Sequence, residues 1–324
     1  MPHIVVADPI HPDGIERLLK APGITLDHPG AATGGPLADR LRQADALIVR
    51  GTVVDEALLA KAERLRVVCR HGVGYDLVEV PALTRRGIAL MITPEANAAS
   101  VAEHALMLML SLARNVGPIS AAVRRGEWRV RGQSATFELG GRTVLILGFG
   151  RIGTRVARLC TAFGMRVTVH DPYLPKGTIR GAGFEPVIDR NAGLADADIV
   201  TLHVPANDAT RGMVDAAFLA RMKPGAVLVN TARGTLVDEA ALEGALRSGR
   251  LGAAGLDVLR VEPMAERLSM LGLENLVVTP HVAASTAEGL RRMAWDSAGN
   301  VLDFLAGRPD GDAIVNGEVL TPAA

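Results

Sequence analysis

The chain has 324 residues, 48% hydrophobic and 22% charged, with 35 basic and 35 acidic side chains that cancel formally. That length exceeds what one hydrophobic core usually supports, so two domains are expected. The balanced charge excludes nucleic acid as the main partner, and the most apolar helical segment, Ala105 to Ala113, is too short and too flanked by charge to span a bilayer. The two cysteines, Cys69 and Cys160, lie in or beside apolar runs with no metal-ligand spacing, which suits a reducing, cytoplasmic setting.

From the N-terminus, Met1-Pro-His-Ile-Val-Val-Ala-Asp8 reads as a strand rather than a signal peptide. Ile4–Ala7, Ala46–Val49, Val67–Cys69 and Ile88–Ile92 are expected as strands. Ile15–Lys20, Leu37–Gln43, Asp55–Arg64 and Val80–Arg86 are expected as the helices between them. This alternation predicts βαβ units and a mostly parallel sheet. A long helix follows from Ala99 to Arg114. Residues 117–140 then lose periodicity and gather Gly, Arg and Trp128, as an extended arm would. Alternation restarts at Thr143, with strands at 144–147, 166–170, 199–203, 227–230, 253–256 and 276–279, the size of a dinucleotide-binding sheet. A last helix, Glu288 to Leu305, stops at Gly307 and Pro309 and is expected to return to the first domain. The fold class is therefore α/β with two Rossmann-like domains: a doubly wound parallel nucleotide-binding sheet (97–285) and a smaller flavodoxin-like substrate domain (1–96 plus 286–324).

The densest chemical signal is Gly148-Phe-Gly150-Arg151-Ile152-Gly153, entered by Val144–Leu147 and followed by helical spacing at Ile152, Val156, Leu159 and Phe163. Gly148 permits the tight turn, Gly150 lets backbone approach a pyrophosphate, and Gly153 lets helix pack on strand. Asp171 ends the next strand, 18 residues beyond Gly153. There an acid hydrogen-bonds the adenosine ribose and repels a 2′-phosphate, favouring NAD over NADP.

Later strand ends carry further polar residues. Asn230-Thr231-Ala232-Arg233 follows Val227–Val229, Asp257 follows Ala253–Leu256, Glu262-Pro263 lies five residues on, and His281 follows Val277-Val278-Thr279-Pro280. Taken together, His281 suits proton transfer near neutral pH, Glu262 suits orientation of the imidazole, and Arg233 suits a carboxylate or carbonyl. Singly, the same residues also read as a helix cap, a turn and a solvated loop.

The stretches Met222–Asp238, Ala254–Val258, Glu262-Pro263 and Thr279–His281 resemble the D-isomer-specific 2-hydroxyacid dehydrogenases. So do Val49–Gly51, Arg70–Asp76, Thr93-Pro94 and Asn97–His104. The likeness covers essentially the whole chain and is greatest to short 3-phosphoglycerate dehydrogenases without a regulatory domain. The resemblance implies NAD-dependent hydride transfer to or from D-2-hydroxy acids, with Arg233 on the substrate carboxylate and carbonyl, His281 as acid/base and Glu262 as its partner. It places Asp257 near the nicotinamide, and Arg151, Ile152, Asp171, His203, Val204, Pro205, Thr231, Ala232 and Arg233 along the cofactor. It also implies backbone amides of Gly72, Val73 and Gly74 on the substrate carboxylate, an active site between two hinged domains, and a homodimer formed through the nucleotide domain. Two departures stand out: Leu259-Arg260 where the family often has Phe-Glu, and Met264-Ala-Glu-Arg where most relatives have Pro-Leu. The family also holds formate, phosphite and glyoxylate/hydroxypyruvate enzymes and resembles non-enzymatic, NAD-sensing corepressors.

Weaker signals leave alternatives open. Arg50 ends a strand and is read as a ligand for a phosphate or second carboxylate, or as a surface ion pair. His71 is read as touching substrate, His104 as a satisfied core histidine, and His203 as a packing or backbone-positioning residue. Arg129 and Arg131 beside Trp128 read as a solvated basic loop or as groups reaching a neighbouring subunit.

Overall fold

A computed structural model describes residues 1–30, 35–132 and 136–320. The chain divides into two compact units, one of residues 1–97 with the segment from Ser285 onward, the other Ala98–Ala284. The first begins β1 (His3–Val6), α1 (Pro12–Leu19), β2 (Thr25–Asp27), α2 (Leu37–Arg40), β3 (Ala46–Val49) and α3 (Glu56–Leu59), and continues β4 (Val67–Arg70), α4 (Val80–Arg85) and β5 (Ala89–Met91). The second holds α5 (Ala98–Ala113), α6 (Val116–Arg124), β6 (Thr143–Leu147), α7 (Arg151–Ala162), β7 (Arg166–His170), α8 (Lys176–Gly181), β8 (Glu185–Pro186), α9 (Arg190–Asp196) and β9 (Ile199–Leu202). It closes with α10 (Ala216–Arg221), β10 (Val227–Asn230), α11 (Glu239–Arg247), β11 (Ala253–Leu256) and β12 (Leu276–Val278), before α12 (Ala287–Leu305) rejoins the first unit.

The first sheet has the order β2-β1-β3-β4-β5 and the second β12-β11-β10-β9-β6-β7-β8, all parallel. Parallel sheets need both faces covered, which is why their strands read as unbroken apolar runs. In β6, Val144 and Ile146 face a core shared with α5 and α7, while Leu145 and Leu147 face one shared with α10 and α11. In the first sheet, Ile4, Val6, Ile48 and Cys69 pack with Ala298, Val301 and Phe304 of α12, and Val5, Leu47 and Val68 pack on the other face. Thr286 caps α12 by accepting from the Gly289 amide at 2.9 Å. Both cysteines are buried and free, and burial pushes each thiol up to about 12. Among the described residues no single helix is long and apolar enough to cross a membrane.

Four elements differ from expectation. The edge strands β2 and β8 are three and two residues long, too short to show periodicity, and in β2 only Asp27 is buried, paired with Arg40. The helix expected at Asp55–Arg64 ends at Leu59, leaving through tight turns from Ala60 N to Ala57 O and Ala62 N to Leu59 O. The expected arm is largely structured: α6 is followed by a 3₁₀ segment at Trp128–Gly132, and residues 133–135 lie outside the described residues.

The β6–α7 turn depends on two close approaches. Gly148 has φ 93°, and a Cβ there would meet the His203 carbonyl oxygen at 2.5 Å, across the point where strand order reverses between β6 and β9. A Cβ at Gly153 would lie 2.0 Å from the Gly148 carbonyl oxygen. Gly153→Ala is expected to lower unfolding stability by about 1–3 kcal/mol, read as a lower urea midpoint, and to weaken dinucleotide binding by displacing the turn.

Candidate active site

The ladders of the second sheet are level. Leu147 pairs with His170 and Leu202, Leu202 with Asn230, Asn230 with Leu256, and Leu256 with Val278. The next residue on each strand forms a second row: Gly148, Asp171, His203, Thr231, Asp257 and Thr279. Residues from six strands thus leave the sheet at one height, at its carboxyl edge, where open α/β sheets bind ligands.

On the β6 side the residues fit a dinucleotide. Gly150 is the N-cap of α7 with no side-chain cap bond, so the helix's first amides are not taken by a cap, and a Cβ on Gly150 would meet nothing within 4 Å. The Asp171 carboxylate accepts from the amides of Phe149 and Tyr173, each at 2.9 Å, which fixes it beside the glycine turn with further lone pairs to offer. Thr231 Oγ1 is buried and has no hydrogen-bond partner, an orphan a bound group would satisfy. His203 is tied to Thr201 Oγ1 through Nε2 at 2.9 Å, and enclosure of its ring pushes it down to about 3. The loop at Val204 and Pro205 is closed by Thr210, whose hydroxyl donates to the Pro205 carbonyl at 2.6 Å.

On the β10–β12 side, Asn230 clamps the turn that carries Arg233. Its amide nitrogen donates to the Arg233 carbonyl at 2.8 Å and its oxygen accepts from Ala232 N at 2.9 Å. Gly234 lets the loop after β11 come close, since a Cβ there would sit 2.0 Å from the Leu259 carbonyl. That loop folds back through Leu259 N, which donates to Glu262 Oε1 at 2.7 Å, leaving Glu262 Oε2 for His281 Nδ1 at 2.6 Å. Burial raises the Glu262 carboxyl. The His281 hydrogen bond, the Leu259 amide and the charges of His281 and Arg233 outweigh it and hold the group below the ordinary carboxylate value. An ionised Glu262 fixes the proton on His281 Nδ1 and leaves Nε2 to face a reactant. His281 has φ 54°, and its amide donates to the Asp257 carbonyl at 2.7 Å. The departures at Leu259, Arg260 and Met264 therefore leave the Glu262–His281 pair intact.

The first unit presents its own strand ends. The Asp8 carboxylate accepts from the amides of Arg50, Gly51 and Thr52 at 2.6, 3.0 and 3.1 Å and from the Thr52 hydroxyl, fixing the turn that carries Arg50. Gly72, at φ 132°, sits over the Arg70 guanidinium, which donates to the His71 carbonyl. His71 is buried with both ring nitrogens unpartnered, and burial followed by the charges of Arg50 and Arg70 pushes it down to about 4. Thr93 Oγ1 and Asn97 Oδ1 are likewise buried without partners. Asn230, at a strand end, and Thr93 and Asn97, in the motifs of the family resemblance, were given no role from the sequence, and Asp8 carried no signal there.

The D-isomer specific 2-hydroxyacid dehydrogenase NAD binding domain matches residues 106–283. The chain belongs to this family. Across 95% of its length the chain is 40% identical to D-3-phosphoglycerate dehydrogenase of Methanocaldococcus jannaschii, of which it spans 58%. Among solved structures it matches D-lactate dehydrogenase from Aquifex aeolicus complexed with NAD and lactic acid, with TM-score 0.84 and 26% identity over 99% of this chain and all of that one. It also matches the NADPH-dependent glyoxylate/hydroxypyruvate reductase of Sinorhizobium meliloti, with TM-score 0.84 and 30% identity over 97% and 98% of the two chains. The family membership and these likenesses indicate a nicotinamide cofactor.

Because the Glu262 carboxyl is lowered on folding, its contribution to stability is present above the unfolded carboxylate pKa and is lost as pH falls through the folded one. Wild type and Glu262→Gln are expected to differ in denaturation midpoint at neutral pH and to converge in acid.

Proposed function

We propose that this protein is an NAD-dependent dehydrogenase of D-2-hydroxy acids, with 3-phosphoglycerate the favoured substrate. The observation that carries the reading is the 2.6 Å His281–Glu262 pair on the edge that also bears Arg233 and the dinucleotide turn. A bound nicotinamide supplies or accepts the hydride. His281 Nε2 takes the hydroxyl proton when the alcohol is oxidised and returns it when the keto acid is reduced. Glu262 keeps the imidazole in one tautomer and stabilises its charged form. Arg233, charged at any working pH, grips the carboxylate and polarises the carbonyl. Amides of Gly72, Val73 and Gly74 take the carboxylate, His71 stays neutral against substrate, and Arg50 takes a second anionic group. The name of the M. jannaschii relative supports a phosphorylated substrate. Similarity to the S. meliloti reductase supports hydroxypyruvate or glyoxylate as the second reading. Asp171 favours NAD over NADP by repelling a 2′-phosphate.

The reading extends to a cytoplasmic homodimer formed through the nucleotide-binding unit. Exposed Met107, Val116, Val123 and Trp128, the last 72% exposed, support an apolar contact there.

Initial rates of NADH oxidation with phosphohydroxypyruvate, hydroxypyruvate, glyoxylate and 2-ketoglutarate, repeated with NADPH, test the proposal. His281→Ala is expected to lower kcat by about 10²–10⁴-fold; near-normal turnover would remove His281 from the chemistry. Arg50→Ala is expected to raise KM for phosphohydroxypyruvate by about 10–100-fold and to leave that for glyoxylate unchanged.

A further inference from the structure

Asp257 is 1% exposed, so its carboxylate needs donors on every side. Oδ2 accepts from Ala283 N at 2.8 Å, and Oδ1 accepts from Val282 N at 2.9 Å and from the Thr279 hydroxyl at 2.5 Å. An ionised carboxylate only accepts, so the single Thr279 proton is committed to it. His104 Nε2, 2.9 Å from Thr279 Oγ1 and 3.4 Å from Asp257 Oδ1, must then carry a proton and donate. The direction of the bonds is fixed: from α5 through Thr279 to Asp257, whose carboxylate also holds the two amides that follow His281.

His281 lies between those two attachments. A side-chain-bearing residue at φ 54° is in an unfavourable conformation and persists only where its surroundings over-determine it. Thr279 on one side and Val282 and Ala283 on the other, all bound to one carboxylate, supply that constraint. We propose that His104, through the Thr279 hydroxyl, holds the Asp257 carboxylate on the amides of Val282 and Ala283 and so positions the His281 imidazole against Glu262. His104 and Thr279 are positioning residues and do not touch the reacting atoms. The inference rests on His281 being the acid/base of the proposed function. Among the described residues, Glu262 and Asp257 contact His281 directly, Arg233 acts on Glu262, and His104 reaches it through Asp257 and Thr279.

Thr279→Val keeps the shape and removes the hydroxyl, whereas Thr279→Ser keeps the hydroxyl. The readouts are the imidazole NMR titration of His281 in cofactor-free protein, assigned by its loss in His281→Ala, and kcat for alcohol oxidation. Thr279→Val is expected to lower the His281 titration midpoint by about 0.5 pH unit, as contact with Glu262 slackens, and to lower kcat by about 10-fold or more. Thr279→Ser restores both, and His104→Leu reproduces the valine result. A wild-type titration and turnover in Thr279→Val, or no recovery with serine, overturns the proposal. If His281→Ala keeps its turnover, the acid/base reading fails instead, while the NMR titration still reports whether Thr279 positions the ring.

Discussion

The level register of the second sheet governs everything that follows from it. Each parallel ladder sets its neighbour's height, and the pairing of Leu147, Leu202, Asn230, Leu256 and Val278 leaves the next residues in one row. A one-residue slip of β11 would turn Asp257 to the other face and uncouple it from the amides after β12. Turn chemistry then differentiates the row. Glycine at the end of β6 admits a neighbouring backbone, Asn230 folds β10 back on itself, and Asp257 gathers the chain beyond β12.

Electrostatics divides the polar groups into two kinds. Glu262 and Asp8 are partly buried, yet donors keep both carboxyls below their ordinary value. His71 and His203 are pushed the other way by burial and stay neutral, His203 despite its hydrogen bond to Thr201. In the proposed chemistry the anionic pair partner belongs beside the proton carrier, and neutral imidazoles belong where a negatively charged reactant is to be contacted but not protonated.

Much of this was legible in the residues. The β6 turn was readable because its requirements are steric: only glycine tolerates a 2.0 Å approach of backbone at position 153. The positions of Arg233 and His281 just beyond strand ends were readable from the alternation, and that of Glu262 in the loop after β11 from the Glu-Pro pair; their chemical roles belong to the proposed function. β2 and β8 were not, since so few residues show no period. Loss of periodicity and the gathering of Gly, Arg and Trp128 over 117–140 read as an arm, yet Gly117 and Pro118 lie in the first turn of α6, where they are compatible with a helix. His104 was hidden for a different reason. On an apolar helix a histidine that donates to a threonine far away in sequence, 175 residues here, is indistinguishable from one satisfied nearby.

The left-handed backbone at His281 carries a consequence for how the chain can change. Glycine or asparagine would occupy φ 54° at lower cost, and either would discard the imidazole. If His281 carries the proton of the proposed reaction, selection for thermal robustness and selection for turnover pull in opposite directions at this position. Stabilising substitutions gathered elsewhere in the scaffold are what let such a residue persist, so tolerance at distant sites is part of what sustains the proposed acid/base.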